Sequence, residues 1–305
     1  MQRESNKRKK RVEVFDVVNI VILFFFTLVI AYPLYFVLIA SVSAPTAVNS
    51  GQVWLWPVNA NFNGYSIVMQ SAEIWRGYLV TAALTVLGTL INLALTLTGA
   101  YALTKTHLPG IRPIMFLFTF TMFFSGGLIP TYLLVSSLGM RDTIWALILP
   151  GAVSMYNIIL VRTFYRSSIP NELLDAAVID GCSEIKTLLR VVLPLSKPIV
   201  ATMALFYGVG HWNQYFQALI YIRDKNLYTL QLVIRNLLLE SKNLLNNLVQ
   251  AGGMGMSQEY LSEVSQRAET LKYAVIVVST LPVLLVYPLL QKHLVRGIMI
   301  GSLKG

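Results

Sequence analysis

Two groups of polar residues in this otherwise apolar chain have the types and spacing that could do chemistry. The first is the charged stretch NELLDAAVIDGCSEIKTLLRVVLPLSKP, which occupies residues 171–198 between two long apolar runs. Charged side chains are costly to bury in hydrocarbon, so this stretch must lie outside a membrane that its neighbours cross. Carboxylates on a short helix can pair with basic groups of a soluble protein. We therefore expect a docking surface here.

The charged stretch has the pattern of a helical hairpin. Its apolar residues recur at helical spacing on either side of Gly181. Glycine adopts turn conformations at low cost, and proline lacks the N–H that a helix interior needs. We expect two short helices joined at Gly181–Cys182, and we expect Pro194 and Pro198 to end the second helix.

The second polar group lies inside the fifth apolar run. It consists of a histidine, a tryptophan and three amides, namely His211, Trp212, Asn213, Gln214 and Gln217. Polar groups are costly within a membrane span, so they should face other helices or a wet cavity. Amides and aromatic rings suit a sugar, which offers hydroxyls to hydrogen-bond and ring faces to stack on. Interhelical hydrogen bonding is the alternative interpretation, and His211 alone is typical of a packed polar side chain.

The sequence lacks the residues that several other kinds of site require. Cys182 is the single cysteine, and the three histidines are far apart, so no metal site of the multi-cysteine or HExxH type is expected. The phosphate-binding pattern GxxxxGK[ST] is absent, so no ATP site of that kind is expected. The chain also lacks the paired aspartates or matched serine and histidine of an intramembrane enzyme. We expect no catalytic residue, no metal and no cofactor in this chain.

The composition places most of the chain in a bilayer. Hydrophobic residues make up 55% of the sequence and charged residues only 12%, whereas a soluble domain is about a quarter charged. The formal net charge of +10 would suggest nucleic acid in a soluble protein. Here the basic residues gather before the first apolar run and in loops expected inside, as the positive-inside rule describes. We expect membrane lipid as a partner, and no nucleic acid.

The apolar runs indicate an all-α, polytopic membrane protein with six transmembrane helices. The expected spans are about 17–42, 79–103, a third that begins near 113, 143–165, 198–222 and 273–290. Glycine and proline should break the third span at 125–127 and the fourth at Pro150–Gly151. Each break either bends its helix for packing or forms part of a gate on the solute path.

Three regions are expected along the chain. Residues 1–16 form a basic cytoplasmic tail, 17–297 form the membrane domain, and 298–305 form a second cytoplasmic tail. Within the domain, the loop 166–197 is expected inside, and the loop 223–272 separates the fifth and sixth spans. The loop 223–272 contains LQLVIRNLLLESKNLLNNLVQ, whose apolar and polar residues alternate as in an amphipathic helix.

The charged stretch resembles the EAA loop of ATP-binding-cassette (ABC) importer permeases. The residues that carry the resemblance are Asp175, Ala176, Ala177, Asp180, Gly181, Leu193 and Pro194. Asp175 stands where the family has glutamate, Cys182 where it has a small alanine, and Leu188 where it has phenylalanine. The phrases FSGGLIPTYLL, GHWNQYFQALIYIRD and RGIMIGSLKG are similar to the carbohydrate branch, its oligosaccharide and complex-glycan permeases, among them the smaller permease of the maltose importer.

The resemblance implies the type I ABC importer permease fold in a bacterial cytoplasmic membrane. In that family the loop is a coupling helix that docks into a cleft of a dimeric ABC ATPase, which binds ATP and Mg²⁺. The residues that carry the resemblance would do the docking. A second, unlike permease subunit, an extracytoplasmic solute-binding protein and a saccharide cargo are also implied.

Two further roles follow from the resemblance. The loop 223–272 would lie outside, where it would touch the solute-binding protein or reach into the solute path, and an interfacial cap over the helices is the alternative. The tail 299–305 would insert between the ATPase subunits.

An ion-coupled secondary sugar carrier is the rival function. Such a carrier needs carboxylates buried in its spans, and the expected spans contain essentially none. The sequence therefore favours an importer subunit that is not itself an enzyme and is driven by a partner ATPase.

Overall fold

The structure, a computed structural model, describes residues 14–250, 271–286 and 288. Those residues form helices, turns and bends, and no strand occurs among them. The all-α prediction is therefore confirmed for the described residues. Most of the tail 1–16, the middle of the loop 223–272, the end of the sixth expected span and the tail 298–305 lie outside them.

The helices follow one another closely along the chain. In order they are α1 (Val14–Ser41), α2 (Pro45–Asn49), α3 (Asn63–Gln70), α4 (Ala72–Ala102), α5 (Ile111–Phe123), α6 (Leu128–Ser137), α7 (Trp145–Ile148, continued by a 3₁₀ turn over Leu149–Gly151), α8 (Met155–Ser168), α9 (Asn171–Ile179), α10 (Glu184–Thr187, continued by a π-helical turn over Leu188–Val192), α11 (Leu193–Leu195), α12 (Lys197–Trp212), α13 (Phe216–Tyr221), α14 (Leu230–Gln250) and α15 (Leu271–Val286).

Contacts divide the chain into two compact units. One combines residues 1–68 with 244–278, and the other combines 69–243 with 279–305. The first unit has a small apolar core around Ile39, Ala47 and Val53. The second unit holds both polar regions that the sequence singles out.

Two helices, α1 and α4, are each long and apolar enough to cross a membrane. Three further pairs of helices pass the same test together but bend by more than 40° at a short break, which gives up to five spans among the described residues. Helix α15 is apolar but shorter. The total of six spans remains a prediction.

Helix α4 begins at Ala72, earlier than the expected start at Leu79. The reason is a side-chain cap, because the Ser71 hydroxyl accepts a hydrogen bond from the N–H of Ile74. Glu73 in the first turn adds a favourable charge at the helix N-terminus. The helix therefore begins before the segment that hydropathy assigns to the span.

Helix α4 packs closely along α12. The Thr96 and Tyr207 hydroxyls lie 2.7 Å apart in a buried hydrogen bond. Farther along α4, Gly88 stands against the ring of His211. Small and hydroxyl residues allow two helices to approach closely where water is excluded.

The breaks expected in the third and fourth spans are confirmed. Helices α5 and α6 meet at 116°, and Gly127 between them has a φ of +84°, a conformation that only glycine adopts readily. Helix α7 with its 3₁₀ turn meets α8 at 55°. Pro150 and Gly151 lie in that turn.

The fifth expected span, 198–222, is wrong as one continuous helix. Helix α12 ends at Trp212, and α13 starts only at Phe216. Polar side chains at the break compete with the helix for backbone groups. Asn213 Nδ2 donates to the carbonyl of Val209, and Gln214 Nε2 donates to the carbonyl of Leu147. The amphipathic helix expected in the loop 223–272 is confirmed as α14.

Candidate functional site

Residues 171–195 form the charged hairpin, which consists of α9, a tight turn and the run from α10 to α11. Helix α9 closes with Gly181 at a φ of +71°. The Cys182 N–H donates to the Ala177 carbonyl at 2.9 Å, and the Gly181 N–H donates to the Val178 carbonyl at 3.0 Å. This is the usual way in which a glycine ends a helix. The predicted junction at Gly181–Cys182 is confirmed.

The second half of the charged hairpin runs farther than expected. Pro194 lies inside it, in the first turn of α11, and the helix breaks only at Ser196. The prediction that Pro194 ends this helix is wrong. Pro194 follows directly on the π-helical turn, where the backbone hydrogen bonds already depart from the α pattern, so its missing N–H interrupts little. Pro198 lies in the first turn of the next helix, α12.

The tip of the charged hairpin carries uncovered apolar side chains. Ile179 is 86% exposed and Ile185 is 72% exposed, on either side of the turn. Asp175, Ala176 and Asp180 of the expected docking motif are exposed as well. Exposed apolar side chains among charged ones are typical of a surface that binds another protein.

Other residues of the expected motif face the chain's own core. Ala177 is buried, and Leu193 is half-buried. Leu188 and Val192 of the π-helical turn belong to an apolar cluster formed with α4, α8 and α12. Ala177 and these leucine and valine side chains therefore hold the charged hairpin in place instead of offering a surface to a partner.

Three polar side chains tie the charged hairpin to the end of α4. The Tyr101 hydroxyl donates to Glu184 Oε2 at 2.5 Å, and Lys105 Nζ lies 2.9 Å from the same oxygen. The hydrogen bond from Tyr101 and then that from Lys105 hold the pKa of Glu184 below its usual range, although partial burial opposes them. We call Tyr101, Lys105 and Glu184 the α4 clasp.

A hollow of about 390 Å³ separates α9 from the end of α4. Its walls are mostly polar, and they include Asn171 and Asp175 from α9 and Thr104 and His107 from the chain after α4. We call this space the hairpin hollow.

The second polar region opens onto a cavity of about 780 Å³, which we call the polar cavity. Four of the five residues expected on a solute path line it, namely His211, Asn213, Gln214 and Gln217. Trp212 does not, because it points to another side of α12. Its Nε1 donates to the Ser279 carbonyl at 2.9 Å, and its ring packs on Tyr78. The structure therefore does not support Trp212 as a lining residue.

His211 is a packed side chain with one free nitrogen. Its Nδ1 lies 3.3 Å from Gln214 Oε1, and no described residue hydrogen-bonds its Nε2. The histidine is 8% exposed. This geometry agrees with the interpretation of His211 as a packed polar residue at the edge of the cavity.

The lining of the polar cavity combines amides, hydroxyls and aromatic rings. The residues that line it include no Asp, Glu, Lys or Arg. The rings come from Phe206, Tyr207, Tyr215, Phe216 and Tyr221. Such a lining can hydrogen-bond hydroxyls and stack on the apolar faces of a sugar ring.

Comparison with known proteins assigns the chain to a family. Residues 4–300 match the family described as binding-protein-dependent transport system inner membrane component. The chain belongs to this family. It is a permease component, and the resemblance to ABC importer permeases is confirmed.

The similarity to individual relatives covers almost the whole permease. The permease is 41% identical over 292 residues to Protein LplC of Bacillus subtilis (strain 168), which covers 96% of this chain and 95% of that protein. It is 38% identical to the polygalacturonan/rhamnogalacturonan transport system permease protein YtcP of the same strain, over 95% and 98% of the two chains. A chain of a bacterial ABC transporter involved in the import of the acidic polysaccharide alginate is 32% identical, with a TM-score of 0.79 over 93% of the permease and 98% of that chain.

Sequence reasoning missed several residues of these sites in the permease. The α4 clasp joins residues about eighty positions apart, and no local pattern pairs Tyr101 with Glu184. Asn92, which lines the polar cavity from α4, was also missed. An amide within the otherwise apolar α4 was the available signal, since such groups are costly in a span.

Proposed function

We propose that this permease carries an oligosaccharide across a bacterial cytoplasmic membrane and is driven by a separate dimeric ABC ATPase. The charged hairpin carries the proposal, because it presents an exposed apolar tip beside the Asp175, Ala176 and Asp180 motif at one end of the helices. The polar cavity supports the cargo class, since its neutral amides and rings suit saccharides.

The proposed assembly contains four kinds of subunit or ligand besides this chain. They are a second, unlike permease, the ATPase dimer with its ATP and Mg²⁺, an extracytoplasmic solute-binding protein, and the saccharide. The chain itself crosses the membrane six times with both termini in the cytoplasm, and the charged hairpin meets the ATPase on that side. The chain has no cofactor and no catalytic residue of its own.

Coupling in this proposal is a shift between two states. Closure of the ATPase dimer on ATP moves the charged hairpin, and the hairpin moves the helices that line the polar cavity. ATP drives transport because it binds one state of the assembly more tightly, while the solute favours the other. An ion-coupled carrier would need carboxylates along its path, and the described lining of the polar cavity includes no Asp or Glu.

The proposal is tested by reconstituting the complete importer in vesicles with its binding protein. Uptake of oligosaccharides should require ATP inside the vesicles, and Ala176→Arg should abolish both uptake and copurification of the ATPase. Ala60→Arg, at another exposed alanine, is the matched control and should behave as wild type. Uptake on an ion gradient without the ATPase would overturn the proposal.

A further inference from the structure

The α4 clasp joins the charged hairpin to a helix far away in sequence. Glu184 is the first residue of α10, and Tyr101 lies in the last turn of α4. Glu184 uses both carboxylate oxygens, because Lys105 Nζ lies 3.0 Å from Oε1 and 2.9 Å from Oε2, and Oε2 also accepts the Tyr101 hydroxyl. A carboxylate held by two donors at both oxygens is fixed in orientation.

The α4 side of the clasp is more buried than an ordinary surface ion pair, while the Glu184 side chain is 61% exposed. The Lys105 side chain is only 19% exposed, and Tyr101 is buried in the apolar cluster with α8 and α12. Lys105 Nζ also lies 5.0 Å from the centre of the Tyr101 ring, which adds a cation–π contact. Isolated, exposed ion pairs contribute little, whereas a set of groups anchored on a buried ring holds its geometry.

The hairpin hollow lies beside the clasp, and Tyr101 and Lys105 belong to both. Asn171 and Asp175 of α9 form one wall of the hollow, and Tyr101, Lys105 and His107 form another. The space between these walls has a volume of about 390 Å³. Over this stretch a polar space lies between α9 and the end of α4, while Leu174 of α9 packs against the apolar cluster that includes Tyr101. Glu184 of α10 supplies a direct polar contact from the charged hairpin to the end of α4.

Helix α4 leads from the clasp to the polar cavity. Two to three turns before Tyr101, Asn92 lines the cavity. Between them, Thr96 hydrogen-bonds Tyr207, another lining residue. A helix transmits displacement along its axis because its backbone hydrogen bonds resist stretching, so a shift at Tyr101 reaches the cavity wall.

We propose that Tyr101, Lys105 and Glu184 are positioning residues that transmit movement of the charged hairpin to α4 and so to the polar cavity. This inference rests on the proposed function, since it assumes that an ATPase moves the hairpin. It assigns the clasp a role separate from docking, because its side chains face α4 and not the exposed tip.

The test compares ATP hydrolysis and sugar uptake in the same vesicles of the reconstituted importer. Glu184→Ala, Tyr101→Phe and Lys105→Met should keep solute-stimulated ATP hydrolysis within about twofold, while the ratio of sugar moved to ATP hydrolysed falls by about tenfold. Glu184→Lys combined with Lys105→Glu should recover part of that ratio. Glu172→Ala removes an exposed carboxylate of α9 and should leave the ratio unchanged.

Two results would overturn the inference. One is a wild-type ratio in both Glu184→Ala and Tyr101→Phe. The other is an equal fall in hydrolysis and uptake, which would mean that the clasp only supports folding or docking. The proposed function fails separately, if Ala176→Arg still copurifies with the ATPase and imports sugar.

Discussion

Gly88 of α4 stands directly against the imidazole of His211, and a β-carbon at position 88 would lie 2.5 Å from His211 Nε2. The two helices therefore depend on the absence of a side chain at this position. His211 in turn lines the polar cavity, so the contact sets both helix spacing and the shape of the cavity wall.

Gly88→Ala should destabilise the protein and impair uptake, since the added methyl group must displace His211 or part the helices. We expect a loss of about 1–3 kcal/mol in the free energy of unfolding, measured as a lower melting temperature in detergent. Gly210→Ala is the control, because a β-carbon there would meet nothing within 4 Å. Gly88→Ala with His211→Ala should recover stability, and a failure to recover would contradict the steric explanation.

Gly181→Ala should strain the turn of the charged hairpin. The φ of +71° costs an alanine about 1–2 kcal/mol, although a β-carbon would meet no neighbour. Sugar uptake should fall, and Gly181→Pro, which also removes the N–H that Val178 accepts, should abolish it. Gly51→Ala imposes the same strain at a φ of +71° away from the hairpin and should leave uptake normal.

Glu184 predicts a definite pH dependence. The hydrogen bond from Tyr101, and then that from Lys105, lowers the pKa of Glu184 in the folded protein. The ionised carboxylate therefore stabilises the fold fully above the usual glutamate pKa near 4.5, and this stabilisation is lost as the pH falls through the lowered pKa of the folded protein. The difference in melting temperature between wild type and Glu184→Gln should stay constant from pH 8 to about pH 5 and shrink below that. A difference that already disappears near pH 6 would contradict the clasp geometry.

Substitutions of Asp142 should lower the melting temperature in a particular order. Its Oδ1 accepts the backbone N–H groups of Arg223 and Asp224, with the bond from Arg223 the larger cause of its lowered pKa, and its own φ is +57°. Asp142→Asn keeps an acceptor and tolerates that backbone, Asp142→Gly keeps only the backbone, and Asp142→Ala keeps neither. Melting temperatures should fall in that order, and an alanine variant as stable as the asparagine variant would contradict it.

Substitution of Gln217 should affect sugar binding, whereas substitution of Gln214 should affect stability. No described residue hydrogen-bonds the Gln217 side chain, which lines the polar cavity, whereas Gln214 Nε2 donates to the Leu147 carbonyl. Gln217→Leu should raise the sugar concentration for half-maximal uptake by roughly two- to tenfold with an unchanged melting temperature. Gln214→Leu should lower the melting temperature. Equal effects of both on stability would refute the distinction.

Local patterns predicted the parts of the fold that local chemistry decides. Gly181 marked the turn of the charged hairpin, and the alternation in LQLVIRNLLLESKNLLNNLVQ marked α14, since each signal lies within its own element. The start of α4 depended on the Ser71 cap, which a hydropathy pattern does not reveal. The α4 clasp depended on folding, because Glu184 meets Tyr101 only after the helices between them have packed.

The candidate sites were likewise predicted only in part from the sequence. The amides of the fifth run line a cavity, but Trp212 does not, because it lies on another side of α12, where its indole faces Tyr78. The sequence also could not show that Ala177 faces the core while Ala176 is exposed, since both fit the same motif.

The hairpin hollow has one mechanical consequence. Its walls carry amide, hydroxyl and charged groups, so a tilt of α9 would change mainly polar surface on this side of the helix. A dry, tightly packed contact would resist such a tilt at every step. In the proposed coupling, movement of α9 would therefore meet little resistance on this polar side, and Glu184 would pass the movement to α4.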